Sequence, residues 1–294
     1  MYISELFQKK KCLFSHEIFP PQKETDVGKV YETIASLQLL RPDFISVTCG
    51  AGGSAVGDNI TAKIAHHIKK EYGIESLVHL TCVNSSRSSM EETLAFLREN
   101  DLYNILALRG DRTQSSTAAD FAYASDLISL IKQKKCFYIA AACHPEGHPE
   151  SSTKEENIRH LKEKVDAGAS HLISQLFFDN DAFYVFLDEI GAANITIPVE
   201  AGIMPIVNKR LIDKIVTLCG ASSPPKFLEI LNRFGNSPAS LFDAGIDYAT
   251  EQIVDLISHG VRGIHLYTMN NPVVAERITK NIRGVLEKIN GEPS

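Results

Sequence analysis

Tyr138-Ile139-Ala140-Ala141-Ala142-Cys143 and, starting 33 residues after it begins, His171-Leu172-Ile173-Ser174-Gln175-Leu176-Phe177-Phe178 are two short apolar runs with a helix-like segment between them. A strand, a crossover helix and a second parallel strand make one βα repeat, which takes about 30 residues. Working outward, the same cadence recurs on both sides. Leu13–Phe19, Phe44–Cys49, Leu77–Cys82 and Asn104–Gly110 come before, and Ile197–Ile203 and Val261–Thr268 come after. The first seven runs start 26 to 34 residues apart, and the eighth follows after 64. Eight such units predict an α/β protein of the (β/α)8 TIM-barrel class, one domain over residues 1–294. The rival is a doubly wound sheet with a smaller second domain. It lacks support, because no strand leads into a GxGxxG turn and no linker-like break divides the chain.

The segments between the runs carry helical signals. Ile60, Ile64 and Ile68 repeat at four-residue spacing after Asp58. Ser88 precedes Glu91 at capping-box spacing, ahead of Leu94 and Leu97. Gly168 stands where a helix through Lys162 and Val165 would stop. The long gap before the eighth strand holds Lys209–Leu218, then Pro225 opening a stretch to Phe234, then Pro238 opening one to His259. Proline suits a first helical turn, so this gap predicts extra helices between strands 7 and 8 rather than a second domain.

Thirty Lys and Arg against 36 Asp and Glu give a net charge of −6, which argues against nucleic-acid binding driven by bulk charge. The six cysteines are dispersed without CxxC spacing and read as free thiols in a reducing compartment. No signal-type segment follows Met1, and no run approaches the roughly 18 apolar residues of a membrane span. A cytoplasmic protein without membrane or nucleic-acid partners is expected.

Barrel enzymes place their chemistry at the C-terminal strand ends. Here those ends are polar: Ser15-His16-Glu17, Thr48-Cys49-Gly50-Ala51-Gly52-Gly53, His79-Leu80-Thr81, Arg109-Gly110-Asp111, His144-Pro145-Glu146-Gly147-His148 and Ser174-Gln175. Each has an ordinary reading on its own. Glu17 reads equally as half of a structural ion pair, His79 as a hydrogen-bonded core histidine, and the glycines as turn residues. Arg109 and Asp111 could close a loop. His144 and His148 lie four apart, but Pro145 and Pro149 oppose the helix that would bring them to one metal, so no metal is expected. Convergence of polar groups from six strands is harder to explain by folding, because every buried polar group needs a partner.

In order along the chain, His16-Glu17-Ile18-Phe19-Pro20-Pro21, Ser46-Val47-Thr48-Cys49-Gly50-Ala51-Gly52-Gly53-Ser54, His79-Leu80-Thr81-Cys82, Leu108-Arg109-Gly110-Asp111 and Tyr123-Ala124-Ser125-Asp126-Leu127 are followed by His148-Pro149-Glu150 and Lys164-Val165-Asp166-Ala167-Gly168-Ala169. Gln175-Leu176-Phe177-Phe178-Asp179, Gly202-Ile203-Met204-Pro205-Ile206 and His265-Leu266-Tyr267-Thr268-Met269-Asn270 complete the set. Together these resemble the 5,10-methylenetetrahydrofolate reductase family from about Cys12 to Asn271.

The resemblance implies an FAD-dependent oxidoreductase of one-carbon metabolism and methionine biosynthesis, in which the flavin takes hydride from NADH or NADPH and then passes it to the folate in a ping-pong scheme. Glu17 matches the family's general acid, which protonates the nitrogen that leaves when the folate ring opens to an iminium. Asp111 matches the aspartate near pterin and flavin, and Gln175 the pterin-binding amide. Thr48, Cys49, Ala51, His79, Arg109, Gly110, Asp111, Tyr123, Ala124, His144, His148, Asn157, His160 and Lys164 fall on flavin-contact positions or beside them. Glu17, Asp111, Gln175, Leu211, Ile215 and Asn271 fall on folate or nicotinamide positions.

The chain departs from the family pattern at several places. His16 replaces the usual Phe and, opposite Glu17 on the strand, should face the helices. Cys49 replaces a frequent Tyr, and His144 an aromatic residue. Leu211 and Ile215 stand where some members have Gln and Phe, and Asn271 where some have Arg. Leu211 and Ile215 leave open electrons from a partner redox protein; a non-catalytic flavin- or folate-binding subunit is the other reading, and the presence of Glu17, Asp111 and Gln175 speaks against it. A homo-oligomer is also open, and no regulatory domain is expected after the barrel.

Overall fold

The computed structural model of the chain describes residues 1–21, 26–49, 60–111 and 120–291. Eight parallel strands pair in chain order and close on themselves: β1 (Leu13–Ile18), β2 (Phe44–Val47), β3 (Glu75–Thr81), β4 (Asn104–Leu108), β5 (Tyr138–Cys143), β6 (His171–Ser174), β7 (Val199–Ile203) and β8 (Gly263–Tyr267). Closure is made by β8 on β1, with Ser15 in register with His265 and Glu17 with Tyr267. The expected (β/α)8 barrel is what forms.

Side chains alternate across each strand, so one strand serves two cores. From β1, Phe14 and Ile18 face outward and pack with Ile34 and Leu37 of α2 (Val27–Leu37) and with Ile278 and Ile282 of α11 (Pro272–Asn290). Leu13 faces inward with Phe44, Leu77, Leu106, Tyr138 and Ile173. No element was expected before β1, yet α1 (Ile3–Lys9) plugs the N-terminal end of the barrel with Ile3, Leu6 and Phe7. Asn104 fixes that plug by accepting a hydrogen bond from the Ile3 amide at 2.9 Å.

The crossovers are α3 (Ile60–Tyr72), α4 (Arg87–Glu99), α5 (Ala124–Gln133), α6 (Lys154–Ala167) and α7 (Asn180–Ala192). Gly168, with φ of 129°, ends α6 as expected. The capping residue of α4 differs from expectation. Ser86, not Ser88, accepts from the Ser89 amide, and Ser89 completes the box, so the hydroxyl pair displaces the anticipated Glu91. The sixth strand also ends earlier than its apolar run. After Ser174 only the Gln175 amide still reaches β5, donating to the Cys143 carbonyl at 2.7 Å, and the Phe177 and Phe178 carbonyls accept instead from Gln252 and Tyr248 side chains.

Three helices fill the long interval before β8: α8 (Lys209–Cys219), α9 (Pro225–Phe234) and α10 (Pro238–Ser258), the latter two with proline at the first turn. Facing residues of α8 and α9 form a separate apolar cluster with Leu176, Phe178, Met204 and Ile206, which follow β6 and β7. A polar strap links this part to the β5–α6 loop, where the Ser222 amide donates to Glu146 at 2.8 Å. No helix among the described residues is long and apolar enough to cross a membrane.

His16 faces the helix layer as expected, fully buried and edge-on to Phe14. Neither ring nitrogen has a hydrogen-bond partner among the described residues. Burial, helped by His265, pushes its pKa down to about 3. An unfolded histidine titrates near 6.5, so below that pH the unfolded chain binds a proton that the folded chain refuses. His79, at about 4, and His144, at about 3, are depressed chiefly by burial and act in the same direction. Stability should therefore be full above about pH 6.5 and fall steadily toward pH 4. His16→Phe should raise stability at pH 7 by about 1 kcal/mol, by removing an unsatisfied buried group, and should flatten part of the acid loss. Urea melts at pH 7 and 5 would show it; an unchanged or lower midpoint at pH 7 would contradict the assignment.

Candidate active site

Glu17 lies on the inward face of β1 near its C-terminal end, 6% exposed. One carboxylate oxygen, Oε2, is 3.5 Å from His79 Nε2 of β3 and 3.5 Å from His265 Nε2 of β8. His79 Nε2 has no hydrogen-bond partner among the described residues. Because burial keeps His79 neutral down to about pH 4, Glu17 gains no cation from it at pH 7. The strand is pinned here by Thr268, whose hydroxyl donates to the Glu17 carbonyl at 2.6 Å. Tyr267, inward on β8, donates its hydroxyl to the Ser174 carbonyl, and burial followed by Glu17 raises its pKa well above the usual value.

Beyond β2, the Thr48 amide donates to the Ile18 carbonyl, while its buried hydroxyl has no partner among the described residues. Cys49 donates its thiol to the His79 carbonyl at 2.7 Å, and burial pushes its pKa to about 11, so it is a thiol at neutral pH. Ala51 falls outside the described residues.

A second group gathers after β4 and β5. Arg109 donates through both terminal nitrogens to Glu150, each at 2.6 Å, a bidentate pair in which Glu150 is largely exposed. Gly110 has φ of 86°, and a Cβ there would meet Val83 at 2.7 Å, so the turn requires glycine. Asp111 is exposed at the edge of the described segment. The His144 and His148 rings meet edge to face at 4.7 Å. Lys164 donates to the Ala142 carbonyl at 2.9 Å, and burial lowers its pKa. Arg109, His148, His160 and Lys164 are close enough for His148 to feel the other three electrostatically. Tyr123 caps α5, half exposed, its ring 6.1 Å from His160, and Ala124 is the first residue of that helix.

Some positions singled out from sequence have structural duties. Asn157 accepts from the His148 amide and donates to the His144 carbonyl, holding the loop that carries both histidines. Asn271 caps α11 by accepting from Val273 and Val274. Leu211 and Ile215 pack against the α8–α9 apolar cluster. Gln175 accepts from the Leu176 amide through Oε1 at 2.9 Å. Residues with no role read from sequence surround Glu17 from below: Ser15, Ser46, His171, Glu200 and His265, all essentially inaccessible to solvent. The available signals were strand parity, which puts Ser15 with Glu17, and a lone charge inside the apolar run Val199-Glu200-Ala201.

A family model described as methylenetetrahydrofolate reductase matches residues 2–283. The chain belongs to the methylenetetrahydrofolate reductase family. Methylenetetrahydrofolate reductase 1 of Schizosaccharomyces pombe is 33% identical over 96% of this chain and 46% of its own length. Methylenetetrahydrofolate reductase (NADH) 1 of Arabidopsis thaliana is 31% identical over 95% of this chain and 50% of its own length. The chain thus spans about half the length of these family members. A Pectobacterium carotovorum 5,10-methylenetetrahydrofolate reductase is 34% identical, over 87% of this chain and 85% of the relative. Among solved structures, a Clostridium thermocellum protein that binds two copies of 5-methyl-5,6,7,8-tetrahydrofolic acid superposes with a TM-score of 0.68 at 12% identity, covering 97% of this chain and 99% of that one. That likeness supports the barrel fold alone.

Proposed function

We propose that this barrel reduces 5,10-methylenetetrahydrofolate to 5-methyltetrahydrofolate, with FAD as its cofactor and NADH or NADPH as electron donor. The observation that carries the reading is Glu17, a nearly buried carboxyl at the active end of the barrel that faces two histidine nitrogens and, among the described residues, pairs with no lysine or arginine. Ring opening of the methylene bridge needs a proton on the departing nitrogen, which a positioned carboxyl group can donate.

The lining residues suit FAD. Thr48 Oγ1 and His79 Nε2 are buried polar atoms without hydrogen-bond partners among the described residues, groups that a polar ligand would satisfy. Arg109, His148 and Lys164 supply donors for a diphosphate. When bound, FAD would supply hydride transfer between nicotinamide and folate. Asp111 would offer negative charge to a cationic iminium, and Gln175 its amide to the pterin edge. The NADH in the name of the Arabidopsis relative favours a nicotinamide donor over a protein one.

Arg109→Ala should weaken FAD binding about 10-fold or more, as loss of a charge-assisted contact would. Flavin fluorescence quenching reads this directly, and unchanged affinity would remove Arg109 from the cofactor site. The donor is tested by mixing the FAD-loaded protein anaerobically with NADH or NADPH. Bleaching of the flavin by either one is expected, and bleaching by neither would overturn the nicotinamide part of the reading.

A further inference from the structure

Below Glu17, the barrel interior holds a continuous polar chain. Ser15 Oγ lies 2.6 Å from His265 Nδ1 and 2.7 Å from Glu200 Oε2. Ser46 Oγ is 3.2 Å from His265 Nε2, the nitrogen that also faces Glu17. Glu200 Oε1 is 3.0 Å from His171 Nε2, off the line of a good hydrogen bond. Other titratable groups sense these carboxyls from neighbouring elements: Tyr138, Cys12 and Asp43 feel Glu200, and His79 and Tyr267 feel Glu17. All of the linking side chains are buried.

Hydrogen-bond direction restricts what this chain can do. Ser15 has one proton to share between its two close neighbours. If Glu200 is ionised, Ser15 donates to Glu200, and His265 must donate to Ser15 through Nδ1–H. Its Nε2 is then an acceptor, open to the Ser46 hydroxyl and to a protonated Glu17. If Glu200 is protonated, every bond reverses: Glu200 donates to Ser15, Ser15 to Nδ1, and Nε2–H to an ionised Glu17. The two arrangements carry the same charge. They differ by three proton hops: Glu17 to Nε2, Nδ1 to Ser15, and Ser15 to Glu200.

We propose that Glu200 is a positioning residue that, through Ser15 and His265, shares one proton with Glu17 and holds His265 as the Nδ1–H tautomer, keeping Glu17 in its proton-donating form. His171 Nε2 stands 3.0 Å from Glu200 Oε1 at that end of the chain. Delivery of the Glu17 proton to substrate would leave two buried carboxylates linked by the chain, so recovery of a proton from solvent is strongly favoured. This role in catalysis rests on the folate reduction proposed above, but the tautomer itself does not.

The test combines ¹⁵N-histidine NMR with half-reaction kinetics. In the intact protein at pH 7, His265, assigned by its loss in His265→Gln, should show a protonated Nδ1 and an unprotonated Nε2. Glu200→Gln should shift His265 toward Nε2–H and move the alkaline limb of the folate half-reaction, where Glu17 loses its proton, to lower pH. Ser15→Ala, the milder change, should lose the Nδ1–H signature and slow the folate half-reaction by about 10-fold or more, with flavin reduction by the nicotinamide changed less than about twofold. An Nε2–H tautomer in the unaltered protein would overturn the proposal, as would a His265 signature and pH profile that both variants leave intact. Absence of any folate reduction, with the predicted tautomer present, would instead count against the proposed function.

Discussion

Glu17→Gln should slow the folate half-reaction by about 10²- to 10⁴-fold while flavin reduction by the nicotinamide stays within a few-fold of the unaltered protein. The range is that of a positioned general acid. Glutamine keeps the shape and can donate its amide N–H to His265 Nε2, so the barrel end should stay formed. It cannot deliver a proton to a leaving nitrogen. Hydride uptake from a nicotinamide needs no such proton, which is why the two half-reactions should separate. Stopped-flow absorbance of the flavin follows each one alone. Equal loss in both would mean that Glu17 shapes the cofactor site rather than donating a proton.

Phe44→Ala should destabilise the fold by about 3–5 kcal/mol, the cost of emptying a well-packed aromatic site. Phe44 is fully buried on the inward face of β2, among Leu13, Leu77, Leu106 and Phe7. Its ring stacks 6.1 Å from His265 and meets His171 edge-on at 6.4 Å. It therefore packs between the apolar plug and the polar chain, beside the 4.9 Å contact of Phe7 with His171, and removing it leaves a cavity against His171 and His265. The barrel has few ways to collapse around the gap, because each strand is held on both sides by a ladder. Denaturant unfolding gives the stability change. A loss below about 1 kcal/mol would show that the plug closes the space by itself.

The fold was readable because a βα repeat has a length, and eight strand runs kept to it except at one place. That exception was readable too, since Pro225 and Pro238 mark helix starts. The α1 plug was not: its seven residues have too little periodicity to stand out, and its apolar face makes sense only against the closed barrel floor. The site divides in the same way. Glu17, His79 and Arg109 belong to contiguous motifs at strand ends, and Lys164 to one in the last turn of α6. Glu200 meets Ser15 across 185 residues, and only because β7 joins β8 and β8 joins β1. A pairing made by closure leaves no local pattern. Asn157 and Asn271 illustrate a different limit. Their positions drew attention, but which groups their amides serve depends on loop and helix geometry that spacing does not encode.

The account turns on proton and hydride delivery to a methylene-bridged folate at the C-terminal mouth of this barrel. The direct measurement is to load the protein with FAD, reduce it chemically without oxygen, and add 5,10-methylenetetrahydrofolate. The predicted result is reoxidation of the flavin with one 5-methyltetrahydrofolate formed per flavin, and with both events lost together in Glu17→Gln. A reduced flavin that stays reduced in the presence of the folate, in protein that is folded and flavin-loaded, would contradict it.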